Sequence, residues 1–263
     1  DNINSGKILF DLYQDTNNEK YKKAIFTLRR QLEWMPRTKD GGFWHKRIYP
    51  WQMWLDGIYM ASPFYARFIE EFGNEANYDD VAKQIILIDE KTYDPDAALH
   101  YHGWDESRIQ RWSDPETGLS PNFWSRAVGW YAMALVDVLD YFPQNHPDRN
   151  KILEILGRTV DGVINCQDEE TGLWCQVLDQ AGREGNYLEA SGSSMFVYTI
   201  AKAVKKGYID KSYFKYAKKG YNGILEHLIR VEGNGMVNLT QCSTSAGLGG
   251  NPYRDGSYEY YIS

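Results

Sequence analysis

The sequence of 263 residues lacks the features that mark several classes of protein. Lysine and arginine together number 29 against 36 aspartates and glutamates, so the positive surface typical of nucleic-acid and anionic-membrane binders is missing. No apolar run is long enough to span a bilayer. We therefore expect no nucleic-acid partner and no membrane partner, whereas a small neutral or locally captured anionic ligand is compatible with the net charge of −7.

Cysteine is scarce as well. Cys166, Cys175 and Cys242 form neither a CxxC pair nor a disulfide framework, so we expect buried free thiols. The one close pair of histidines, His100 and His102, has no third ligand nearby in the sequence, which argues against a metal site. We expect no metal and no cofactor.

Alternating strand patterns are few, and the dominant periodicity is helical. Apolar residues recur at three- and four-residue spacing through most of the chain, which predicts an all-α protein. The predicted helices cover residues 5–15, 20–34, 51–71, 78–88, 126–142, 150–164, 191–206 and 211–230.

A weak repeat organises these helices. Turn-rich segments lead through irregular stretches to new helices, and the anchors Trp51, Arg126, Ser191 and Ser257 are spaced 65 to 75 residues apart. Each unit is a helical hairpin that is too small to bury its own apolar face. The repeat predicts an α/α toroid, in which inner helices line a cavity and the loops at their amino ends form its mouth, where sites are usually built.

The two ends of the chain lead to a further expectation. The chain starts at Asp1 rather than at methionine, and its last segment reads as the start of another inner helix, GSYEYYIS. We therefore expect a single toroidal domain over residues 1–263 that is incomplete at both ends. The oligomeric state is open, and so is the compartment, with the bacterial cytoplasm or periplasm favoured over secretion.

One acid, Asp56, stands within the aromatic run WHKRIYPWQMWLDGIYM (44–60). Pro50 is a natural first-turn residue, so we expect a helix to start there and to carry Asp56 about two turns in. Aromatic neighbours such as Trp51 and Tyr59 should desolvate the carboxylate and raise its pKa into the range of a general acid. The alternative is an acid that only hydrogen-bonds a neighbouring loop.

Arg126 and Trp130 lie four residues apart, on one helical face, with Trp124 just before them. A guanidinium beside indole rings can bind a carboxylated sugar, although the same pattern fits a cation–π pair that holds the helix end. In the preceding loop, Asp105 and Glu106 can pair as acids or cap the next turn, and we favour capping.

Several motifs occur together and in order: GGFWHKRIYPWQMWLDGIYMASPF, YHGWDES, TGLSPNFWSRAVGWYAMALVDVLDYFP and EASGSSMFVYTIAKAVKKGYID. With them the chain resembles, from end to end, glycoside hydrolase family 105, the unsaturated rhamnogalacturonyl hydrolases. The resemblance implies an (α/α)6 barrel with Asp56 as the catalytic general acid/base and Asp1 as a second cavity acid. It also implies a substrate site lined by His45, Lys46, Trp54, His102, Trp124, Arg126 and Trp130.

The resemblance further implies the reaction. An enzyme of this family releases the terminal 4,5-unsaturated galacturonic acid from lyase-generated rhamnogalacturonan fragments, with hydration of the C4=C5 double bond in place of direct attack at the anomeric carbon. The partner is then an unsaturated oligosaccharide. The alternatives are an unsaturated glucuronyl hydrolase acting on glycosaminoglycan-type disaccharides, a sugar epimerase with the same barrel, and a non-catalytic sugar-binding toroid.

Overall fold

The computed structural model describes residues 1–73 and 75–263, which form mainly α-helices joined by irregular segments. The helices are α1 (Ile8–Thr16), α2 (Glu19–Glu33), α3 (Leu55–Phe72), α4 (Tyr78–Thr92), α5 (Ser125–Val138), α6 (Arg149–Asn165), α7 (Ala190–Lys205), α8 (Phe214–Gly223) and α9 (Tyr258–Ile262). The strands are β1 (Gln52–Trp54), β2 (Tyr93–Asp94), β3 (Leu99–His100), β4 (Gly103–Asp105), β5 (Ile229–Val231) and β6 (Val237–Leu239). They pair as three antiparallel ladders, β1–β4, β2–β3 and β5–β6.

The helices form two layers. In the inner layer α3, α5 and α7 pack side by side, and on the outside α4 packs on α3, α6 on α4 and α5, and α8 on α7. Helices α1 and α2 form a further hairpin next to α3. The predicted alternation of inner and outer helices is thus confirmed along the chain, and long loops precede the inner helices α5 and α7.

Helix α5 shows why these segments fold as they do. Its buried residues include Val128, Tyr131, Leu135 and Val138, which are spaced by three or four positions and therefore share a face. Because α5 contacts α3, α6 and α7, it also buries residues on its other faces, such as Ala132. Each large apolar side chain buried in this way contributes about 1.5–3 kcal/mol to folding.

The predicted start of the third helix is wrong. The helix begins at Leu55 rather than near Pro50, and Trp51 has a positive φ of 66°. Residues 52–54 form β1 instead, because they pair with β4 in the loop before α5, with Met53 opposite Trp104. Asp56 consequently lies in the first turn of α3 rather than two turns in.

The other predicted helices match the structure to within a few residues, except at 211–230. There a 3₁₀ turn (Lys211–Tyr213) precedes α8, and a π-helical turn (Ile224–Leu228) follows it before β5 begins. All three cysteines are free, as predicted, but only Cys175 is buried, whereas Cys166 is partly buried and Cys242 is exposed. None of the helices in the described ranges has both the length and the apolar character needed to cross a bilayer.

Helix α6 offers a test of how tightly the outer layer packs on the loops. A Cβ atom added at Gly162 would overlap the carbonyl oxygen of Ala98, in the turn between β2 and β3, whereas one added at Gly157 of the same helix meets no atom within 4 Å. We expect Gly162→Ala to lower the free energy of unfolding by about 2–3 kcal/mol, because backbone has to move. Gly157→Ala should raise it by up to about 1 kcal/mol through helix propensity. Urea unfolding measures both, and equal effects would contradict the packing described.

Candidate active site

The amino ends of several inner helices meet around the fully buried ring of His102. The amide of Leu55, the first residue of α3, donates to the His102 carbonyl at 3.0 Å. The rings of Trp54 and Trp124, the residues that precede α3 and α5, lie 5.4 and 4.9 Å from the imidazole. The Tyr261 hydroxyl of α9 lies 2.7 Å from Nδ1. Sequence segments more than 200 residues apart therefore share one site.

Asp56 faces His102 at this point. Its Oδ2 lies 3.1 Å from His102 Nε2, and only 14% of the Asp56 side chain is exposed. The two atoms are within ion-pair distance, although the angles are not those of a hydrogen bond. Such looseness is common in unliganded sites and tightens when substrate binds.

The predicted rise of the Asp56 pKa is wrong. Burial is the largest influence and acts to raise the pKa, but His102, whose Nε2 faces the carboxylate, outweighs it, so the pKa lies below the ordinary value. The aromatic neighbours were visible in the sequence, whereas the facing imidazole comes from a loop 46 positions away. Asp56 is therefore ionised in the unliganded protein at neutral pH.

A second group of predicted residues lies beside Asp56. The His45 ring stacks on Trp54 at 4.1 Å, and Tyr49 stacks on Trp54 at 4.9 Å. Burial, the largest influence, lowers the pKa of His45 to about 3, which leaves this ring neutral. Asp1 forms an ion pair with Lys46 and lies 4.0 Å from His45 Nε2. Both predicted acids therefore lie near His45.

A cavity of about 470 Å³ opens next to this group. It is large enough for a sugar unit and is bounded by α2, by the 43–48 loop and by α3. Its walls are mostly apolar with a few polar groups: Asp1, Asn2, Ile3, Gln31, Leu32, Trp34, Met35, Phe43, Trp44, His45, Lys46, Arg47, Ile48, Met53, Trp54, Gly57, Ile58, Met60, Ala61, Ser62 and Gln84.

Arg126 makes hydrogen bonds within the protein that the sequence did not suggest. Its Nε donates to Ser191 Oγ at 2.7 Å, and its two terminal nitrogens donate to the carbonyls of Thr244 and Ser243 at 3.2 and 2.5 Å. The guanidinium carbon lies 5.7 Å from the Trp124 ring centre. These contacts use three of the five N–H donors of the guanidinium, so one hydrogen on each terminal nitrogen is left for a carboxylate.

Glu189 is a site residue that the sequence analysis missed. This fully buried carboxylate lies at the amino end of α7 and accepts from the amides of Gly192 (2.6 Å) and Ser243 (2.9 Å) and from the amide and hydroxyl of Ser191. Arg126 Nη2 lies 3.5 Å from its Oε1. Glu189 therefore ties Arg126, α7 and the 241–244 segment together. Its position just before the small-residue run ASGSS, at a predicted helix start, was the available signal.

The predicted tryptophans differ in exposure. Trp54 and Trp124 are 4% and 1% exposed, so in this structure they enclose Asp56 and His102 rather than present an open face. Trp130 is half-buried and packs on Tyr59 with ring centres 4.8 Å apart. All three lie on the inner helices or at their starts, as predicted.

The loop acids do not act as a pair. Asp105 accepts from the amides of Ser107, Ile109 and Gln110, which confirms the predicted capping role. Glu106 accepts from the Lys39 amide at 2.8 Å, so it caps a different loop from the one expected.

The histidines of the HxH pattern have separate partners. His100 Nε2 lies 2.9 Å from the buried Asp89, which also pairs with Arg158, whereas His102 faces Asp56. In the described part of the chain, the cluster with metal-ligand spacing is instead Asp79, His146 and Asp148. His146 Nδ1 accepts from the Asp148 amide, and its Nε2 faces Asp79 at 3.1 Å.

The chain is similar to known proteins along its whole length. The model of Glycosyl Hydrolase Family 88 matches residues 1–263. Protein Atu3128 of Agrobacterium fabrum (strain C58) is 36% identical over 210 residues, which cover 78% of this chain and 89% of that protein. The unsaturated rhamnogalacturonyl hydrolase YesR of Bacillus subtilis (strain 168) is 27% identical over 263 residues, which cover 98% of this chain and 71% of YesR.

A solved structure is similar as well. The family 105 glycoside hydrolase of C. acetobutylicum ATCC 824 superimposes with a TM-score of 0.97 at 48% identity, and the match covers 99% of this chain and 72% of that one. The resemblance to family 105 and the predicted all-α toroid are thereby confirmed.

The contribution of the Glu189 hydrogen bonds to stability can be tested by one substitution. Glu189→Gln replaces a buried oxygen that accepts hydrogen bonds with an amide nitrogen that cannot, and it removes the charge opposite Arg126. We expect the free energy of unfolding to fall by about 3 kcal/mol. Glu184→Gln, at an exposed position, is the matched control and should change it by less than about 0.5 kcal/mol. Chemical denaturation measures both, and equal values would show that Glu189 does not hold the site together.

Proposed function

The chain belongs to Glycosyl Hydrolase Family 88, and we propose that it removes the terminal 4,5-unsaturated galacturonic acid from lyase-generated rhamnogalacturonan fragments. The proposed reaction is hydration of the C4=C5 double bond. The observation that carries this proposal is the buried Asp56 carboxylate, which faces His102 across 3.1 Å at the amino end of an inner helix. The name of the YesR relative, an unsaturated rhamnogalacturonyl hydrolase, supports the choice of substrate.

The other carboxylates near the site are already engaged. Asp1 pairs with Lys46 and is 47% exposed, while both oxygens of Glu189 accept hydrogen bonds from backbone amides. Asp56 Oδ2, in contrast, is buried and has no hydrogen bond. A conventional glycosidase needs two free carboxylates on opposite sides of the scissile bond. A single available carboxylate fits a reaction in which one group first donates a proton and then accepts one.

The proposed steps follow from the electronic structure of an enol ether. Asp56, once protonated, gives its proton to C4, and positive charge develops on C5 and the ring oxygen. Water then adds to C5 while the Asp56 carboxylate takes its proton, so that the acid is regenerated. The resulting hemiketal opens, and the anomeric carbon releases the neighbouring sugar as an alcohol. One water molecule is consumed, and the bond to the aglycone breaks without direct attack at the anomeric carbon.

The lowered pKa of Asp56 requires that its proton arrive with the substrate. Asp56 is ionised in the unliganded protein, whereas the first step needs the acid form. A uronate carboxylate brought into the same poorly solvated site raises the pKa of a nearby carboxyl by charge repulsion. Lys46, which is 36% exposed, and the guanidinium of Arg126 are cations that can hold the uronate.

The role of Asp56 can be tested with an unsaturated galacturonyl-rhamnose disaccharide. We expect Asp56→Asn to keep the fold and to reduce the loss of ultraviolet absorbance of the double bond by at least about a thousandfold, because one group supplies both proton transfers. Asp15→Asn, at an exposed position of α1, is the control and should retain full activity.

The same assay run in D₂O tests the reaction type. Enzymatic hydration should place one deuterium at C4 on a single face of the sugar, which NMR of the product reads directly. The product has to be read before its C5 ketone exchanges the C4 hydrogens with solvent. If the label is then already distributed over both faces, C4 was protonated in solution after an ordinary hydrolysis, and the hydration mechanism is wrong.

The arrival of the proton with the substrate can be measured on its own. The saturated galacturonyl-rhamnose disaccharide carries the carboxylate but has no double bond to react. Calorimetric titrations in buffers of different ionisation enthalpy should show uptake of up to about one proton per bound disaccharide, and binding that strengthens as the pH falls. Asp56→Asn should bind without this uptake. Identical uptake by both proteins would assign the proton to another group.

A panel of lyase products separates the proposed substrate from its alternatives. Turnover of the galacturonyl-rhamnose disaccharide ahead of glucuronyl-hexosamine disaccharides supports the proposal, and the reverse order would make the protein an unsaturated glucuronyl hydrolase. Binding without turnover of any member would indicate a sugar-binding toroid. We further propose that residues 1–263 act in this reaction as one domain.

A further inference from the structure

One buried hydroxyl next to the site has no role in the steps above. Tyr261 lies in α9, is 2% exposed, and has its hydroxyl oxygen 2.7 Å from His102 Nδ1. The opposite ring nitrogen, Nε2, faces Asp56. The imidazole therefore lies directly between a phenol and a carboxylate.

The hydrogen on His102 Nε2 follows from its partner. An ionised carboxylate can only accept, so a lone pair on Nε2 would face the lone pairs of Asp56 Oδ2 at 3.1 Å and be repelled. The arrangement is attractive only when Nε2 carries a hydrogen. In the neutral ring this leaves Nδ1 with its lone pair.

The direction of the other hydrogen bond follows from the surroundings of the phenol. Within the described residues, the Tyr261 hydroxyl has no hydrogen-bond partner other than His102 Nδ1. A buried O–H donor without an acceptor is costly, so the hydroxyl donates to Nδ1. Burial also raises the pKa of Tyr261 well above its ordinary value, which keeps the hydroxyl protonated.

Tyr261 is itself held in place from two sides. Its ring stacks on Trp124 with centres 5.5 Å apart and an interplanar angle of 15°. Its backbone carbonyl accepts from Gln176 Nε2 at 2.8 Å, and the same amide group accepts from Trp124 Nε1 at 3.2 Å. The hydroxyl is thus presented to His102 by the ring of Trp124 and the side chain of Gln176.

We propose that Tyr261 is a positioning residue that fixes neutral His102 in the tautomer whose Nε2–H faces Asp56. This hydrogen supports the carboxylate form of Asp56, which acts as the base when water adds, and it orients the ring against rotation. Without the Tyr261 hydroxyl, no donor faces His102 Nδ1, and the tautomer with its hydrogen on Nδ1 becomes more populated. In that tautomer the lone pair of Nε2 points toward Asp56.

The tautomer can be read by long-range ¹H–¹⁵N NMR of the histidine side chains, and the chain has only 5 histidines to assign. At a pH where His102 is neutral, we expect a protonated Nε2 and an unprotonated Nδ1 in the wild-type protein. In Tyr261→Phe, which keeps the stacking ring, the ¹⁵N shifts should move toward the opposite tautomer or a mixture. A wild-type Nδ1–H tautomer, or unchanged shifts in Tyr261→Phe, would overturn the proposal. The wild-type spectrum decides the tautomer even if the variant folds poorly.

Kinetics provide a second readout, which rests on the proposed function. Tyr261→Phe should lower kcat about tenfold with little change in KM, because one hydrogen bond that orients the ring is lost. The matched control is Tyr258→Phe in the same helix, whose hydroxyl donates to the carbonyls of Arg183 and Glu184 at 3.0 Å. It should leave kcat and the ¹⁵N shifts of His102 unchanged.

Equal losses of kcat in Tyr261→Phe and Tyr258→Phe would reduce Tyr261 to a structural role. Since the NMR measurement needs no turnover, an inactive protein would contradict the proposed function and leave the tautomer assignment intact.

Discussion

A carboxylate and an imidazole buried 3.1 Å apart have to satisfy each other, because each alone would cost several kcal/mol to remove from water. Many of the surrounding groups position Asp56 and His102 or exclude water from them. The β1–β4 ladder places Asp56 in the first turn of α3, and the His102 carbonyl receives the first amide of that helix. Trp54 and Trp124 then exclude water from the pair.

The toroidal arrangement explains how residues so distant in sequence come to share this contact. Inner helices packed side by side bring their amino ends to one end of the barrel, where unpaired amides favour negative charge. Asp56 in the first turn of α3 and Glu189 at the start of α7 both make use of this preference. They differ in what surrounds them: both oxygens of Glu189 accept hydrogen bonds from backbone amides, whereas Asp56 Oδ2 faces the imidazole of His102.

The helices and the hairpin organisation were predictable, because apolar periodicity is local information that a single sequence contains. The start of α3 was not, since residues 52–54 form a strand only through pairing with residues 103–105. The pKa of Asp56 was predicted in the wrong direction for the same reason: the desolvating rings are neighbours in sequence, while His102 is not. Glu189 and Tyr261 were missed because each matters through a contact that is distant in sequence. Glu189 contacts Arg126 and Tyr261 contacts His102, and no spacing rule predicts either contact.

A crystal structure of Asp56→Asn bound to the intact unsaturated disaccharide tests the central claim most directly, since the substitution should stop the reaction before any bond breaks. We expect C4 of the unsaturated sugar to lie within about 3.5 Å of the side chain at position 56, with the uronate carboxylate toward Lys46 or Arg126. A complex in which the anomeric carbon lies next to position 56 and C4 points away from it would contradict hydration of the double bond by Asp56.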